Sequence, residues 1–221
     1  MHILCYIRVM FIRDDLNQFI KTIPSDITLV AATKYIDEKE LEKLYLSGVK
    51  NFGENRVDSF LVKYDYLKKY DDIIWHFIGH LQRNKAKDVI NKIDYLHSLD
   101  SLELAKIIDK NRVTPLKTFI EVSINLEESK NGVPFYKVEE FLSELLKYKN
   151  IEVVGLMMMA IKNSDEESVK SQFQKLRILR DELEQKFKVK LPYLSMGMSD
   201  DYLEAIEEGA THIRLGRILL Q

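Results

Sequence analysis

Eight short apolar runs recur along the 221-residue chain, and longer charged amphipathic segments separate them. Short apolar runs of this kind are typical of buried β-strands, whereas the segments between them have helical periodicity. A helix between two strands carries the chain back across the sheet, so the alternation predicts parallel strand pairing. The runs occupy residues 27–33, 49–53, 73–78, 94–99, 117–123, 151–159, 193–197 and 212–216.

Most of these runs are apolar on both faces, as expected for strands that helices cover on one side and a core fills on the other. Eight strand–helix units predict an α/β fold of the (β/α)8 TIM-type barrel class. The rival arrangement is an open doubly wound sheet, but no G-x-G-x-x-G motif follows the first run. We therefore favour the barrel, with residues 1–221 as a single domain.

Three helical segments have predictable boundaries. "DEKELEKLYLSG" predicts a helix that stops at Gly48, and "SDEESVKSQFQKLRILRDELEQKF" predicts one with Ser164 as its N-cap. Residues 1–26 are expected to form a helical segment that covers the barrel. Their apolar start, "MHILCYIRVMFI", is interrupted by Arg8 and is shorter than the ~20 residues that span a bilayer.

The charge balance and cysteine content exclude several classes of protein. The formal net charge is -2, from 33 basic and 35 acidic residues, so neither a nucleic acid nor an anionic membrane is an expected partner. The single cysteine, Cys5, excludes an internal disulfide and a thiolate metal cage. We expect a cytoplasmic monomer that lacks a signal peptide.

A serine and a glycine follow the last two predicted strands. Barrels of this class commonly bind phosphate at the loops after strands seven and eight. Ser199 follows the seventh run and is expected to begin a helix whose free amides face an anion. Gly216 closes the eighth run, where backbone amides can approach the same anion. Ser199 alone favours an ordinary N-cap, but together with Gly216 it favours a phosphate site.

Lys34 ends "ITLVAATK", directly after the first predicted strand. Such a lysine is often an extended surface residue. An amine held beside apolar walls, however, loses solvation and forms a Schiff base with an aldehyde. A phosphate site and a Schiff-base lysine at the same end of a barrel point to pyridoxal 5'-phosphate.

Arg214 lies between Ile213 and Leu215 in the last predicted strand. A guanidinium that points into the barrel mouth can donate to the pyridine nitrogen of that cofactor. Because arginine stays protonated, the ring nitrogen would remain unprotonated and the cofactor would be a poor electron sink. The alternative is an ion pair between Arg214 and a carboxylate across the barrel.

The chain resembles the pyridoxal phosphate homeostasis proteins, which are relatives of the N-terminal barrel of alanine racemase. The resemblance covers about residues 27–218. The matching motifs are "ATK" at 32–34, "FGENRV" at 52–57, "WHFIGHLQRNK" at 75–85, "HSLDS" at 97–101, "GLM" at 155–157, "SMGMSDD" at 195–201 and "IRLGR" at 213–217.

The resemblance implies roles for individual residues. Lys34 would form the Schiff base, Arg214 would face the pyridine nitrogen, and Asn55 would lie near the cofactor ring. His76 and Gly79 would lie at the rim of the site. The residues implied at the phosphate are Met198, Ser199, Gly216 and Arg217.

Two departures from the family pattern affect the expected site. "GRILLQ" stops at Gln221, so the closing helix of the barrel is either missing or supplied by the N-terminal segment. Met158 stands where the family has a smaller or polar residue, and we expect it to narrow the pocket.

The leading hypothesis is a protein that binds pyridoxal phosphate and buffers or delivers it in vitamin B6 and amino-acid homeostasis, with pyridoxal-dependent apo-enzymes as recipients. The chain is too short for the second domain of a racemase, so strong catalysis is not expected. One alternative is a racemase-like enzyme that uses Tyr35 or His76 as the extra base. The other is an aldolase-type barrel whose Lys34 reacts with a phosphorylated sugar.

Overall fold

The computed structural model describes residues 11–124 and 132–220. Within these ranges the chain forms parallel strands joined by helices, as the alternation of the sequence predicts. The strands are β1 (Thr28–Ala32), β2 (Asn51–Glu54), β3 (Ile74–Phe77), β4 (Tyr95–Leu99), β5 (Leu116–Ser123), β6 (Val133–Pro134), β7 (Ile151–Met157), β8 (Tyr193–Ser195) and β9 (His212–Leu215).

Eight of these strands close into a barrel. Each pairs in parallel with its neighbours in the order β1, β2, β3, β4, β5, β7, β8 and β9, and β9 returns to β1 with Thr28 opposite His212. Strand β6 has two residues, lies outside the ring and pairs with the end of β5. The predicted TIM-type barrel is confirmed, and each of the eight predicted runs overlaps one barrel strand.

The helices surround the barrel. They are α1 (Leu16–Lys21), α2 (Glu38–Leu46), α3 (Val57–Leu67), α4 (Ala86–Val89), α5 (Leu102–Asn111), α6 (Val138–Leu145), α7 (Glu166–Phe187) and α8 (Tyr202–Glu207). Among the described helices, none has both the length and the apolar composition that are needed to cross a membrane.

Two helix boundaries test the capping predictions. Helix α2 is followed by Gly48 with a φ of 96°, so the predicted stop is confirmed. The N-cap of α7 is Asp165, whose carboxylate accepts a hydrogen bond from the amide of Ser168. The prediction of Ser164 as the N-cap is therefore wrong by one residue. The hydroxyl of Ser164 instead accepts a hydrogen bond from Gln172 at 3.2 Å.

The alternation of side chains along the strands separates two cores. On β3, Trp75 contacts Phe60 and Tyr64 of α3, in the layer between strands and helices. His76 points the other way, into the barrel, where it stacks on Tyr95 with 4.7 Å between ring centroids. The interior also contains two further buried histidines; together we call the three the lumen histidines: His76, His97 and His212.

The N-terminal segment contacts the end of the chain rather than forming one long helix. In the described part of residues 1–26, helix α1 covers only six residues, and residues 1–10 lie outside the described ranges. Ile12 forms an antiparallel bridge with Leu220, and the Arg13 amide donates to the carbonyl of Leu219 at 3.1 Å. The Arg13 guanidinium also donates to the carbonyl of Ile218 at 3.0 Å. In the described part of this segment, hydrogen bonds of Ile12 and Arg13 cover the region after β9, and Phe19 of α1 packs against Tyr202 of α8.

Candidate functional site

A cavity of about 650 Å³ opens at the carboxyl ends of β1, β7, β8 and β9. This is the end of the barrel where TIM-type proteins place their working residues. Its wall combines polar groups with the apolar side chains of Met159, Ile161 and Val169. The cavity is also lined by six of the residues singled out from the sequence: Lys34, Met198, Ser199, Arg214, Gly216 and Arg217.

Lys34 lies two residues beyond β1, and its side chain is exposed to the cavity. Its ammonium group lies 4.8 Å from the centroid of the Tyr35 ring, a cation–π distance. Tyr35 is 45% exposed, so it is not a packing residue beneath the following helix. The lysine is therefore an accessible amine at the mouth of the barrel.

A buried ion pair holds the backbone that carries Lys34. Lys63 of α3 donates to the carboxylate of Glu54 at 2.5 Å and to the carbonyl of Thr33 at 2.7 Å. That carbonyl belongs to the peptide bond between Thr33 and Lys34. Glu54 also accepts hydrogen bonds from the hydroxyls of Thr33 and Ser59.

The sequence analysis missed this ion pair, although the pattern of α3 contains its signal. The side chains of Lys63 and Glu54 are 4% and 0% exposed. Lys63 falls on the buried stripe of α3 together with Val57, Phe60 and Leu67. A lysine in the middle of an apolar helical stripe is expected to have a buried partner.

Ser199 lies where backbone amides converge. Its hydroxyl oxygen accepts from the amide of Gly216 at 3.3 Å and from the amide of Ile218 at 3.4 Å. The expectation that Ser199 begins the following helix is wrong, because α8 begins at Tyr202. The amides around Ser199 come from the turn after β9, at the start of the short 3-10 helix Arg217–Leu219, and not from the start of α8.

Acidic side chains flank this turn. Asp200 forms an exposed ion pair with the guanidinium of Arg217. Asp201 accepts the amide of Met198 at 2.5 Å, and burial raises the pKa of its carboxyl while this bond opposes the rise. An anion bound beside Ser199 would thus lie near two carboxyl groups that repel it only weakly. The charge of Asp200 is balanced by Arg217, and burial disfavours the charged form of Asp201.

Arg214 is buried beneath the cavity, with 5% of its surface exposed. Its guanidinium donates to the hydroxyl of Ser195 at 2.6 Å and to the carbonyl of Met158 at 2.9 Å. Among the described residues, no carboxylate forms an ion pair with Arg214 across the barrel. Burial lowers the pKa of Arg214 to about 10, an effect that the charges of Asp201 and Glu121 partly oppose, so the side chain is cationic at neutral pH.

The methionines after β7 differ from the expectation. Met158 is fully buried in the core between strands and helices and does not line the cavity, so it does not narrow the pocket. Met159, which is 52% exposed, lines the cavity instead. The contribution of Met158 to the site is its carbonyl oxygen.

Asn55 and Gly79 are neighbours at the ends of β2 and β3, outside the lining of this cavity. A Cβ atom on Gly79 would lie 2.4 Å from the carbonyl oxygen of Asn55, so only glycine allows this approach. The Oδ1 atom of Asn55 is buried without a hydrogen-bond partner among the described residues. A buried acceptor of this kind has an energetic cost that a ligand's donor would remove.

His76 is not a rim residue. It is fully buried in the barrel interior, where Nε2 lies 3.0 Å from Oδ1 of Asn51 and Nδ1 lies 2.9 Å from Nε2 of His97. The expected rim position is wrong because His76 occupies an inward-facing position within β3 and not the loop after it. The same burial removes it as a solvent-connected catalytic base.

Glu121 is an ionisable residue that the sequence analysis missed. It lies near the carboxyl end of β5 and is 6% exposed. Burial, reinforced by the charge of Asp100, raises the pKa of Glu121 to about 7, while Arg214 and His80 act in the opposite direction. The signal is a charged residue flanked by Ile120 and Val122 in "KTFIEVS", the same pattern that drew attention to Arg214.

Comparisons with known proteins identify related chains. The model of the family described as "Alanine racemase, N-terminal domain" matches residues 37–220. A pyridoxal phosphate homeostasis protein from Aquifex aeolicus is 43% identical over 195 residues, which cover 86% of this chain and 85% of the relative. A protein of the same name from Synechocystis is 36% identical over 214 residues, covering 95% of this chain and 98% of the relative.

Two solved structures of related proteins have a similar fold. PipY of Synechococcus elongatus, in a structure with PLP bound, matches with a TM-score of 0.87 and 30% identity over 93% of this chain and 98% of that chain. Alanine racemase from Corynebacterium glutamicum matches with a TM-score of 0.75 and 16% identity over 94% of this chain and 61% of that one. The second match is a likeness of fold.

Proposed function

The chain belongs to the family of pyridoxal phosphate homeostasis proteins, and we propose that it binds pyridoxal 5'-phosphate as a Schiff base on Lys34. In this proposal it buffers the cofactor in the cytoplasm, or delivers it to apo-enzymes, in vitamin B6 and amino-acid homeostasis. The observation that carries the proposal is one cavity that brings together an accessible lysine, convergent backbone amides and a buried arginine.

The accessible amine of Lys34 supplies the covalent attachment. Condensation of its nitrogen with the aldehyde carbon of the cofactor forms a C=N bond and releases water. Lys63 and Glu54 keep the adjoining peptide in place through the carbonyl of Thr33. The bound aldehyde is then unavailable to the amines of other proteins.

The turn after β9 supplies the phosphate contacts. The amides of Gly216 and Ile218 already converge on one oxygen, the hydroxyl of Ser199. Backbone amides that converge in this way form a site for an anion. In the proposal, Ser199 and the backbone of Gly216 and Arg217 hold the phosphate, and Met198 shapes the loop.

Arg214 supplies the group that faces the pyridine nitrogen. Only two of its five N–H groups are engaged by Ser195 and Met158 in the described contacts, and the residue lines the cavity. A cationic arginine donates to the ring nitrogen without transferring its proton, so the ring stays a weak electron sink. This favours holding the cofactor over turning over amino acids.

One observation favours weak racemase-type chemistry as a second candidate. Glu121 is a buried carboxyl near the mouth of the barrel, and its pKa of about 7 is suited to proton transfer at neutral pH. Turnover of an amino acid that disappears in both Lys34→Ala and Glu121→Gln, but not in Tyr35→Phe, would support this candidate.

The test of the proposed function is the visible absorbance spectrum of the purified protein with and without added pyridoxal phosphate. We expect a yellow band that borohydride bleaches and that Lys34→Ala lacks. Lys162 lines the same cavity and is exposed, so Lys162→Ala is the matched control and should keep the band. Peptide mass spectrometry after borohydride reduction would locate the label. A label on Lys162, or the lack of any band in the wild-type protein, would contradict the proposal.

A further inference from the structure

A chain of hydrogen bonds crosses the interior of the barrel from Asn51 to Arg214. Asn51 Oδ1 lies 3.0 Å from His76 Nε2, and His76 Nδ1 lies 2.9 Å from His97 Nε2. His97 Nδ1 lies 2.8 Å from Ser195 Oγ, which accepts from the guanidinium of Arg214 at 2.6 Å. Four strands, β2, β3, β4 and β8, thus contribute one side chain each to a line that ends on a cation of β9.

The two imidazoles in this line are neutral. His76 and His97 are fully buried, and the groups that face them are aromatic rings and one cation: Tyr95 stacks on His76, the ring of His212 lies beside both, and the cation is Arg214. Burial lowers the pKa of each ring well below its ordinary range, and a proton on His97 would in addition be repelled by a proton on His76 or His212 and by the cation of Arg214.

Neutral rings leave one arrangement of protons that satisfies every contact. Asn51 Oδ1 can only accept, so His76 carries its proton on Nε2 and accepts at Nδ1. His97 must then donate from Nε2 and accept at Nδ1. Ser195 in turn donates its hydroxyl proton to His97, which leaves its oxygen lone pairs to accept from Arg214. The two ends agree, because arginine can only donate.

We propose that Asn51, His76, His97 and Ser195 form a one-directional hydrogen-bond wire that positions the guanidinium of Arg214 at the floor of the cavity. Every acceptor in the wire has its lone pair on the side of Arg214, so the aligned dipoles stabilise the cation. With the hydroxyl of Ser195 committed to His97, that oxygen is fixed as an acceptor for one guanidinium N–H. The wire residues are positioning residues, and their action on a bound cofactor rests on the proposed function.

Packing alone does not account for these residues. The neighbouring interior positions hold apolar or aromatic side chains, such as Phe119, which stacks on His97 with 4.4 Å between centroids, and Met157. Polar side chains in such surroundings cost free energy unless each one finds its partners. The wire gives each ring nitrogen a hydrogen-bond partner, and it ends on Arg214, a buried arginine that lines the site.

The first test uses the protein without any ligand. Nitrogen-15 NMR of the histidine rings should show His76 and His97 as neutral Nε2–H tautomers between about pH 6 and pH 8, whereas in denaturant both rings titrate. The N–H signals of the Arg214 guanidinium should be resolved, because a fixed guanidinium rotates slowly. An Nδ1–H tautomer on either ring, or averaged Arg214 signals in the wild-type protein, would overturn the proposal.

The second test breaks one link. Ser195→Ala should release the tautomer of His97 and average the Arg214 signals, and Ser195→Thr, which keeps the hydroxyl, should restore both. Ser98→Ala is the matched control, because Ser98 is also a buried strand serine but donates to the carbonyl of Gly79 outside the wire. Equal effects of Ser195→Ala and Ser98→Ala on Arg214 would show a merely structural role.

The third test measures binding. The affinity for pyridoxal phosphate should fall about five- to tenfold in Ser195→Ala, as expected for the loss of one ordinary hydrogen bond, and remain unchanged in Ser98→Ala. If the wild-type protein does not bind pyridoxal phosphate while its ring tautomers are as expected, the proposed function fails and the wire stands. If it binds the cofactor but the tautomers differ, the wire is refuted and the proposed function stands.

Discussion

The ion pair between Lys63 and Glu54 allows a quantitative prediction for the variant Lys63→Met. Methionine keeps most of the side-chain volume but removes the ammonium group, which bonds both Glu54 and the carbonyl of Thr33. Both charged side chains are almost fully buried, so the change leaves a carboxylate inside the protein without its cation. Breaking a buried pair from one side costs about 3–5 kcal/mol of unfolding free energy.

This loss is a large share of the stability of an ordinary domain, which is about 5–15 kcal/mol. At roughly 2–4 °C per kcal/mol for a chain of this size, the melting temperature should fall by about 6–20 °C. Urea unfolding followed by circular dichroism would measure the same change as a lower midpoint with an unchanged slope.

Two controls make the reasoning refutable. Lys68→Met removes an ion pair with Asp65 in which both side chains are exposed, and it should leave the midpoint unchanged. The double variant Glu54→Gln/Lys63→Met removes both charges and should be more stable than Lys63→Met alone. A Lys63→Met protein as stable as Lys68→Met, or a double variant no better than the single one, would refute the assignment of a buried charge pair.

Three further predictions concern stability. The lumen histidines are neutral in the folded protein, with the pKa of His212 lowered by burial to about 4, whereas in the unfolded chain each takes up a proton below about 6.5. Their contribution to the free energy of unfolding is thus complete above pH 6.5 and is lost as the pH falls towards their folded-state pKa values. Urea midpoints should therefore drop steeply below pH 6, and a midpoint that does not change with pH would contradict this. Glu121 has the opposite effect on the pH dependence of stability, because its pKa is raised to about 7. Its contribution to the free energy of unfolding is complete below about pH 4.5 and is lost as the pH rises through 7. Glu121→Gln should therefore be more stable than the wild-type protein at pH 8, by up to about 3 kcal/mol, with the difference shrinking towards pH 5; equal midpoints at both pH values would exclude the shift. In Gly155→Ala, the new Cβ would lie 1.8 Å from the carbonyl oxygen of Tyr193 on the neighbouring strand, so we expect little folded protein by circular dichroism, and normal folding would show that β7 and β8 separate easily.

The barrel could be predicted because parallel strands buried on both faces are written as uninterrupted apolar runs. The run "IEVVGLMMM" shows the limit of that reasoning. It predicts a strand over residues 151–159, but β7 ends at Met157, and Met158 and Met159 leave the strand in different directions. An apolar run indicates that its residues are buried, and in this case Met158 is still buried although strand pairing has ended at Met157.

The residues at strand ends could also be located from the sequence. Lys34, Ser199 and Gly216 follow β1, β8 and β9, and they line one cavity because the carboxyl ends of parallel strands meet at one face of the barrel. The position of His76 could not be obtained in this way. Its place in the interior depends on hydrogen-bond partners from β2 and β4, which are distant in the chain.

The ion pair of Lys63 with Glu54 joins a helix to a strand, so it depends on tertiary packing. Its only trace in the sequence is a lysine on an apolar helical stripe, where a solvated residue would break the pattern. A charged residue at such a position predicts a buried partner of opposite charge elsewhere in the chain.

The pairing of β1 with β9 has a consequence for how the protein is made. Strand β1 is complete early in synthesis, but Thr28 finds its partner His212 only when roughly 180 further residues have been added. At typical rates of about 5–20 residues per second, one edge of β1 waits on the order of 10 to 40 s for its neighbour. An unpaired strand edge is a template for association with other chains. Synthesis of the four residues of β9 therefore ends the period in which the nascent chain exposes an unpaired edge of β1. We expect chaperones to retain ribosome-bound chains that end before His212.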